Sequence, residues 1–194
     1  MENKHLVYII LAVLVIGIAG TAFNYYKNAA AKDTGGETDI PVTENSSYTG
    51  FERFTTYDLN KEEVTEEILK GHKVNLINIW ATYCKPCIAE MPDLEALDKE
   101  YGETVQVIGI CIDVADASGK IDEDLLEQAK DIAWNVTKVS YPVLIPSKEL
   151  LKGVLADIFA VPISFITDEN GNVLESFMGR KSKEDLKKLI DKYL

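Results

Sequence analysis

The sequence is most informative at residues 80–87, which read Trp80-Ala81-Thr82-Tyr83-Cys84-Lys85-Pro86-Cys87. This stretch holds two of the chain's three cysteines, spaced Cys-x-x-Cys, and it follows the apolar run from Val74 to Trp80. A strand that ends at such a motif and opens a helix places the first thiol at the helix N-terminus, where backbone N–H groups and the helix dipole stabilise its anion. The pattern is therefore typical of a redox-active dithiol.

Length and charge limit the alternatives. With 194 residues, the chain can form one domain with a substantial core and still carry appendages. Its formal net charge of -12 argues against binding to a phosphate backbone, which requires a basic surface. No nucleic acid partner is expected.

The first fifty residues differ in character from the rest. After a flank at residues 1–5, no charged residue occurs from Leu6 to Phe23, and two tyrosines follow shortly after. An apolar span of about 17–25 residues can cross a bilayer, and aromatic residues often anchor it at the interface. We predict a transmembrane anchor at residues 6–26 and a flexible linker at residues 27–50. A cleaved signal peptide, followed by secretion, is the alternative.

Residues 51–194 alternate between strand-like and helix-like patterns. Apolar and β-branched runs predict strands at residues 54–59, 74–80, 105–112, 141–145, 163–167 and 173–178, the last two joined by an Asn-Gly turn. Helical composition or spacing predicts helices at residues 62–69, 86–100, 122–136, 148–159 and from Ser182 onward. This order favours an α/β fold with a mixed central sheet and helices on both faces.

Residues 80–92 resemble the active-site motif of the thioredoxin superfamily, and within it the TlpA/ResA-like membrane-anchored thiol-disulfide oxidoreductases. The family pattern is Trp-Ala-x-aromatic-Cys-x-Pro-Cys-x-x-Glu-x-Pro, and every element of it is present. Further matches are the Val161-Pro162 pair and the Asp-x-x-Gly turn at residues 168–171. The resemblance implies a thioredoxin fold over residues 51–194, with an α/β insert at about residues 114–140.

The resemblance also assigns catalytic roles. It implies that Cys84 and Cys87 form a reversible disulfide, in which Cys84 is the exposed attacking thiol and Cys87 resolves the mixed disulfide. Asn78 occupies the position where thioredoxins proper carry a buried acid. Glu90 is therefore expected to replace that acid, as a partly buried carboxyl of raised pKa that exchanges protons with Cys87. An ordinary exposed glutamate on the helix is the alternative.

Substrate contacts are implied on both sides of the dithiol. Pro162 is expected to be a cis-proline that faces the cysteines, and Val161 to offer backbone hydrogen bonds to an extended substrate. An ordinary trans proline is the alternative. The other expected contacts lie within the motif itself: Trp80, Tyr83, Lys85 and Pro86.

The remaining thiol and the histidines point to no second chemistry. Cys111 lies in an apolar run and is expected to be a buried hydrophobic residue, with a reactive third thiol as the alternative. Asp113, at the end of that run, is expected to be a turn or capping group. One Cys-x-x-Cys and two histidines without ligand spacing predict no metal site, and no cofactor other than the cysteine pair is expected.

These patterns together predict an extracytoplasmic, membrane-tethered thiol-disulfide oxidoreductase, because disulfides persist outside the cytoplasm. The resemblance further implies that it reduces disulfide-bearing proteins, with apocytochrome c or oxidised enzymes as candidates, and takes electrons from a membrane thiol reductant of the CcdA kind. A disulfide-forming oxidase and a non-catalytic binding module on the same fold are the alternatives.

Overall fold

The computed structural model describes residues 50–194. The flank at 1–5, the anchor or signal segment at 6–26 and the linker up to residue 49 lie outside the described residues. Within residues 50–194, no helix is both long enough and apolar enough to cross a bilayer.

The strands of the described chain form one mixed sheet. They are β1 (Thr55–Asp58), β2 (Glu63–Thr65), β3 (Val74–Trp80), β4 (Val105–Cys111), β5 (Val143–Ile145), β6 (Ile163–Thr167) and β7 (Val173–Met178). Their spatial order is β2-β1-β5-β4-β3-β6-β7. Strand β4 runs parallel to β3 and β5, whereas β6 runs antiparallel to β3 and forms a hairpin with β7. The predicted mixed sheet is therefore confirmed.

Helices cover both faces of this sheet. They are α1 (Lys85–Tyr101), α2 (Glu123–Lys130), which continues into a π-helix (Asp131–Val136), α3 (Lys148–Lys152) and α4 (Lys183–Ile190). Buried side chains of α1, α2 and α4 share one apolar cluster with one face of the sheet. The other cluster joins the opposite face to α3 and to residues 51–69.

Strand β3 explains how the site is oriented. All seven of its residues are buried, as expected for a strand that is covered on both faces. Leu76 and Trp80 belong to the cluster beneath α1, whereas Ile77 and Ile79 belong to the opposite one. Because side chains alternate along a strand, Asn78 lies on the same face as Trp80 and points toward α1.

Two predicted helices differ from the structure. The segment Glu62 to Leu69 contains β2, an edge strand paired with β1, followed by a short 3-10 helix at Glu66–Leu69. Sheet pairing here overrides a composition that favours a helix. The helix predicted at 148–159 ends at Lys152, with Gly153 as its C-cap. Phe159 consequently lies in a loop.

The insert after β4 is fastened to α1. It contains α2 and the π-helix, and it returns to the sheet through Ser140. The Ser140 N–H and hydroxyl donate to the two carboxylate oxygens of Glu95, each at 2.7 Å, and Lys99 pairs with the same carboxylate at 2.6 Å. Burial acts to raise the pKa of Glu95, but hydrogen bonds from Lys99 and Ser140 outweigh it and lower the pKa. A charged group thus holds the insert against the helix that carries Cys87.

Candidate functional site

A disulfide joins Cys84 and Cys87 at the start of α1. Cys84 is the N-cap residue, and its sulfur accepts a hydrogen bond from the Cys87 N–H at 3.3 Å. Pro86 lies in the first turn, where its missing N–H leaves no helical hydrogen bond unmade. The sequence thus builds the helix N-terminus around the first sulfur, which is where a thiolate is stabilised.

The two cysteines differ in access. Cys87 is fully buried and Cys84 is 5% exposed, so the first cysteine of the disulfide is the more open one but is far from freely exposed. The expectation of an exposed Cys84 is therefore wrong for the disulfide form. The carbonyl oxygen of Val161 lies 3.7 Å from the Cys84 sulfur and helps to cover it.

A shallow groove of about 490 Å³ gives access to Cys84. Cys84 and Val161 line it, and the Val161–Pro162 peptide bond is cis, as the resemblance implied. The remaining lining residues are Tyr83, Lys85, Pro86, Phe159 and Ala160. Three of the predicted contact residues in the motif, Tyr83, Lys85 and Pro86, therefore meet Val161 around the sulfur.

Trp80 is the predicted contact residue that the structure places elsewhere. It is fully buried and is absent from the lining of the groove. As the last residue of β3, it packs into the core cluster beneath α1. The prediction that Trp80 contacts the substrate is therefore wrong. Trp80 instead packs beneath the active-site turn.

Phe159 is a groove residue that the sequence patterns missed. The sequence predicts that Phe159 ends a helix, whereas the structure places it in the loop that leads to Pro162, with 78% of its surface exposed. One feature of the sequence could have indicated this position: Phe159 comes only three residues before the predicted cis-proline.

Glu90 is fully buried on α1, so the alternative of an exposed glutamate is wrong. One carboxylate oxygen accepts the Lys181 N–H at 2.9 Å, and the other lies 3.5 Å from the Asn78 amide nitrogen. The same nitrogen donates to the Ser164 hydroxyl at 2.9 Å. Loss of solvation raises the pKa of Glu90 to about 7, although the hydrogen bond from Lys181 and the charge of Arg180 act to lower it.

This carboxyl is suited to moving a proton at neutral pH. A group with a pKa near the working pH both accepts and releases protons readily. Glu90 follows Cys87 by three residues, a spacing that places two side chains on one face of a helix. Its role in proton exchange with Cys87 stays a prediction.

Asp113 holds the turn that precedes Cys84. Its carboxylate oxygens accept the Thr82 N–H, each at 3.1 Å, and one of them accepts the Thr82 hydroxyl at 2.6 Å. The contact forms because parallel β3 and β4 end side by side, so that the residues after each strand meet. The expectation of a turn or capping group at Asp113 is confirmed, and its partner is Thr82 in the turn before Cys84.

Cys111 lies beneath the same carboxylate. Its thiol donates to Asp113 Oδ1 at 3.3 Å, and the residue is fully buried. Burial, followed by the nearby charge of Asp113, raises the pKa of the Cys111 thiol well above its usual value. A protonated, buried thiol is a poor nucleophile, which favours the packing role over the relay.

Comparison with known proteins agrees with this geometry. The Redoxin family model matches residues 38–190. The chain belongs to the Redoxin family. "Thioredoxin-like protein YneN" of Bacillus subtilis is 30% identical over 184 residues, which cover 94% of both chains. "Thiol-disulfide oxidoreductase ResA" of Bacillus thuringiensis is 30% identical over 140 residues, 72% of this chain and 73% of that protein. The predicted membership of a TlpA/ResA-like group of thiol-disulfide oxidoreductases is confirmed.

Solved structures show the same architecture. A thiol:disulfide interchange protein of the thioredoxin family from Chlorobium tepidum gives a TM-score of 0.61 at 24% identity, covering 75% of this chain and 96% of that one. StoA from Bacillus subtilis gives 0.53 at 20% identity, covering 71% and 96%. At identities below 25%, this similarity supports a shared fold and nothing further. The predicted thioredoxin fold is confirmed.

Proposed function

We propose that the protein is a membrane-tethered thiol-disulfide oxidoreductase that reduces disulfides in partner proteins outside the cytoplasm. The observation that carries the proposal is the Cys84–Cys87 disulfide at a helix N-terminus, with Cys84 opening into a groove beside Val161. The relatives named thiol-disulfide oxidoreductases support the reaction class.

The first step is nucleophilic attack by the reduced protein. The Cys84 thiolate, stabilised by the N-terminus of α1, attacks one sulfur of the substrate disulfide. A bond forms between that sulfur and Cys84 Sγ, the substrate S–S bond breaks, and the leaving thiolate takes a proton from solvent. The substrate backbone lies along Val161 during this step.

The second step resolves the mixed disulfide. Glu90 accepts the proton of Cys87, and the resulting thiolate attacks Cys84 Sγ. The substrate leaves with its second sulfur reduced, and that thiolate regains a proton through Glu90 or solvent. Two electrons have passed to the substrate, and the protein is left with the Cys84–Cys87 disulfide that the structure contains.

The N-terminal sequence and the chemistry support the proposed location and electron supply. The uncharged run from Leu6 to Phe23 supports tethering to a membrane, and disulfide substrates persist on its outer side. Each cycle consumes two electrons, which a membrane thiol reductant of the CcdA kind would restore. Apocytochrome c, whose haem-site cysteines must be reduced, is a candidate substrate.

Trapping tests the proposal directly. The full-length Cys87→Ser variant, reduced and mixed with insulin, should form a covalent adduct through Cys84 that dithiothreitol releases. The double variant Cys84→Ser/Cys87→Ser is the matched control and should form none. Absence of an adduct with Cys87→Ser would contradict exchange at Cys84.

A further inference from the structure

Two exposed aromatic side chains flank the reactive sulfur. Phe159 is 78% exposed and Tyr83 is 73% exposed, which makes them the most exposed large apolar side chains within residues 50–194. They belong to different segments, the loop before Pro162 and the turn before α1, yet both line the groove at Cys84. Single exposed apolar residues are ordinary, but a pair that converges on one groove marks a contact surface.

The backbone beside Phe159 is a second candidate contact for substrate. Within residues 50–194, no backbone–backbone hydrogen bond uses the N–H of Phe159, Ala160 or Val161. Unpaired backbone of this kind accepts an extended peptide by strand addition. A peptide held there would run along the loop and bring side chains near its cysteine to Phe159.

The lining of the groove differs in charge from the protein as a whole. Lys85 is the single charged residue among those that line it, whereas the chain as a whole carries a net charge of -12. No carboxylate lines the groove, so an apolar side chain can be buried there without desolvating one. Large apolar side chains gain most from such contact, because the free energy follows the apolar area removed from water.

From these observations we propose that Phe159 is a specificity-determining residue: with Tyr83, it binds a large apolar side chain next to the reducible cysteine of an extended polypeptide. The proposal rests on the function proposed above and specifies its substrate class. Substrates with an aromatic or large aliphatic residue beside the cysteine are reduced faster than those with a small polar residue there.

The test compares two disulfide-bridged peptides that are identical except for Phe or Ser beside one cysteine. The pre-reduced full-length protein is mixed with each, and the second-order rate constant for peptide reduction is measured. The wild type should favour the Phe peptide by about tenfold, the scale on which an apolar pocket discriminates. Phe159→Ser should bring the ratio close to one, and Phe159→Leu should retain most of it.

Val136 supplies the matched control. It is apolar and 61% exposed, but it lies on the insert and outside the groove. Val136→Ser should keep the wild-type ratio. The proposal is overturned if the wild type reduces both peptides equally, if Phe159→Ser keeps the preference, or if Val136→Ser loses it to the same extent. If the wild type reduces neither peptide, the proposed function itself fails and the specificity fails with it.

Discussion

The Glu90 carboxylate lies 3.5 Å from the Asn78 amide nitrogen, in the buried layer between α1 and β3. Strand position 78, where thioredoxins proper carry an acid, here holds an amide, and the ionisable group comes from the helix instead. The acid therefore lies on the element that also carries Cys87. Several consequences of this placement can be measured.

Glu90→Gln should remove a pH-dependent loss of stability. Burial raises the pKa of Glu90 from 4.5 to about 7 in the folded protein. Between these values the folded state retains a proton that the unfolded state has lost, so stability falls as pH rises through this window, by about 3 kcal/mol in all. Denaturant unfolding of the oxidised protein at pH 4.5 and pH 8 measures the fall.

The matched control for that experiment is Glu103→Gln, at an exposed glutamate just beyond α1. It should retain the wild-type pH dependence, whereas Glu90→Gln should make the fall in stability between pH 4.5 and pH 8 smaller, because the Glu90 contribution is lost. Equal profiles for the wild type and Glu90→Gln would show that Glu90 is not a proton-binding buried group.

Glu90→Gln should also slow resolution of the mixed disulfide. Glutamine cannot accept the Cys87 proton, and loss of a positioned general base costs about 100-fold or more. In the wild type the resolution rate should rise with pH up to about 7, as Glu90 ionises. Rapid mixing with a labelled mixed disulfide at Cys84 resolves this step, and an unchanged rate and pH profile would remove the proton role.

Asp113→Ala should loosen the turn before Cys84. The substitution leaves the Thr82 N–H and hydroxyl without their partner, which costs about 1–3 kcal/mol. Attack by Cys84 should slow as well, since its turn is held less firmly. Glu103→Ala, which removes an exposed carboxylate, should change stability by less than about 0.5 kcal/mol. Equal effects of the two variants would mean that Asp113 does not hold the turn.

Gly171→Ala should be far more damaging than Gly71→Ala. Both glycines have a positive φ, +83° and +85°, where alanine costs about 1–2 kcal/mol. At Gly71 the added methyl group would meet open space, but at Gly171 it would come within 2.5 Å of the Phe51 backbone. Overpacking should add about 1–3 kcal/mol there. Equilibrium unfolding of the two variants measures the difference, and equal losses would argue against the close packing of Phe51 on this turn.

The parts of the fold that the sequence predicts well are those with a local cause. The sequence predicts strands β3 and β4 to within one residue because both are rich in apolar and β-branched residues, and all but one of their positions are buried. The Ser182 N-cap was predicted from its spacing to Asp185, and its hydroxyl does accept the Asp185 N–H. The segment that contains β2 was missed because pairing with β1, rather than its own composition, determines its structure.

In the site, too, residues with a local sequence pattern could be predicted, whereas contacts between distant segments could not. Cys84 and Cys87 could be recognised from spacing alone, and Glu90 through the resemblance. The contact between Thr82 and Asp113 joins residues 31 positions apart, and no local pattern encodes it. Phe159 reaches the groove only because its helix ends early, at Gly153.

The reduction potential of the Cys84–Cys87 pair tests the central claim most directly. The full-length protein is equilibrated with glutathione or dithiothreitol couples of known potential, and the fraction of disulfide is measured at each. A protein that reduces its partners should have a value at or below about −220 mV, toward the roughly −270 mV of thioredoxin. A value near about −120 mV would mark a protein that forms disulfides and would contradict the proposed direction of electron flow.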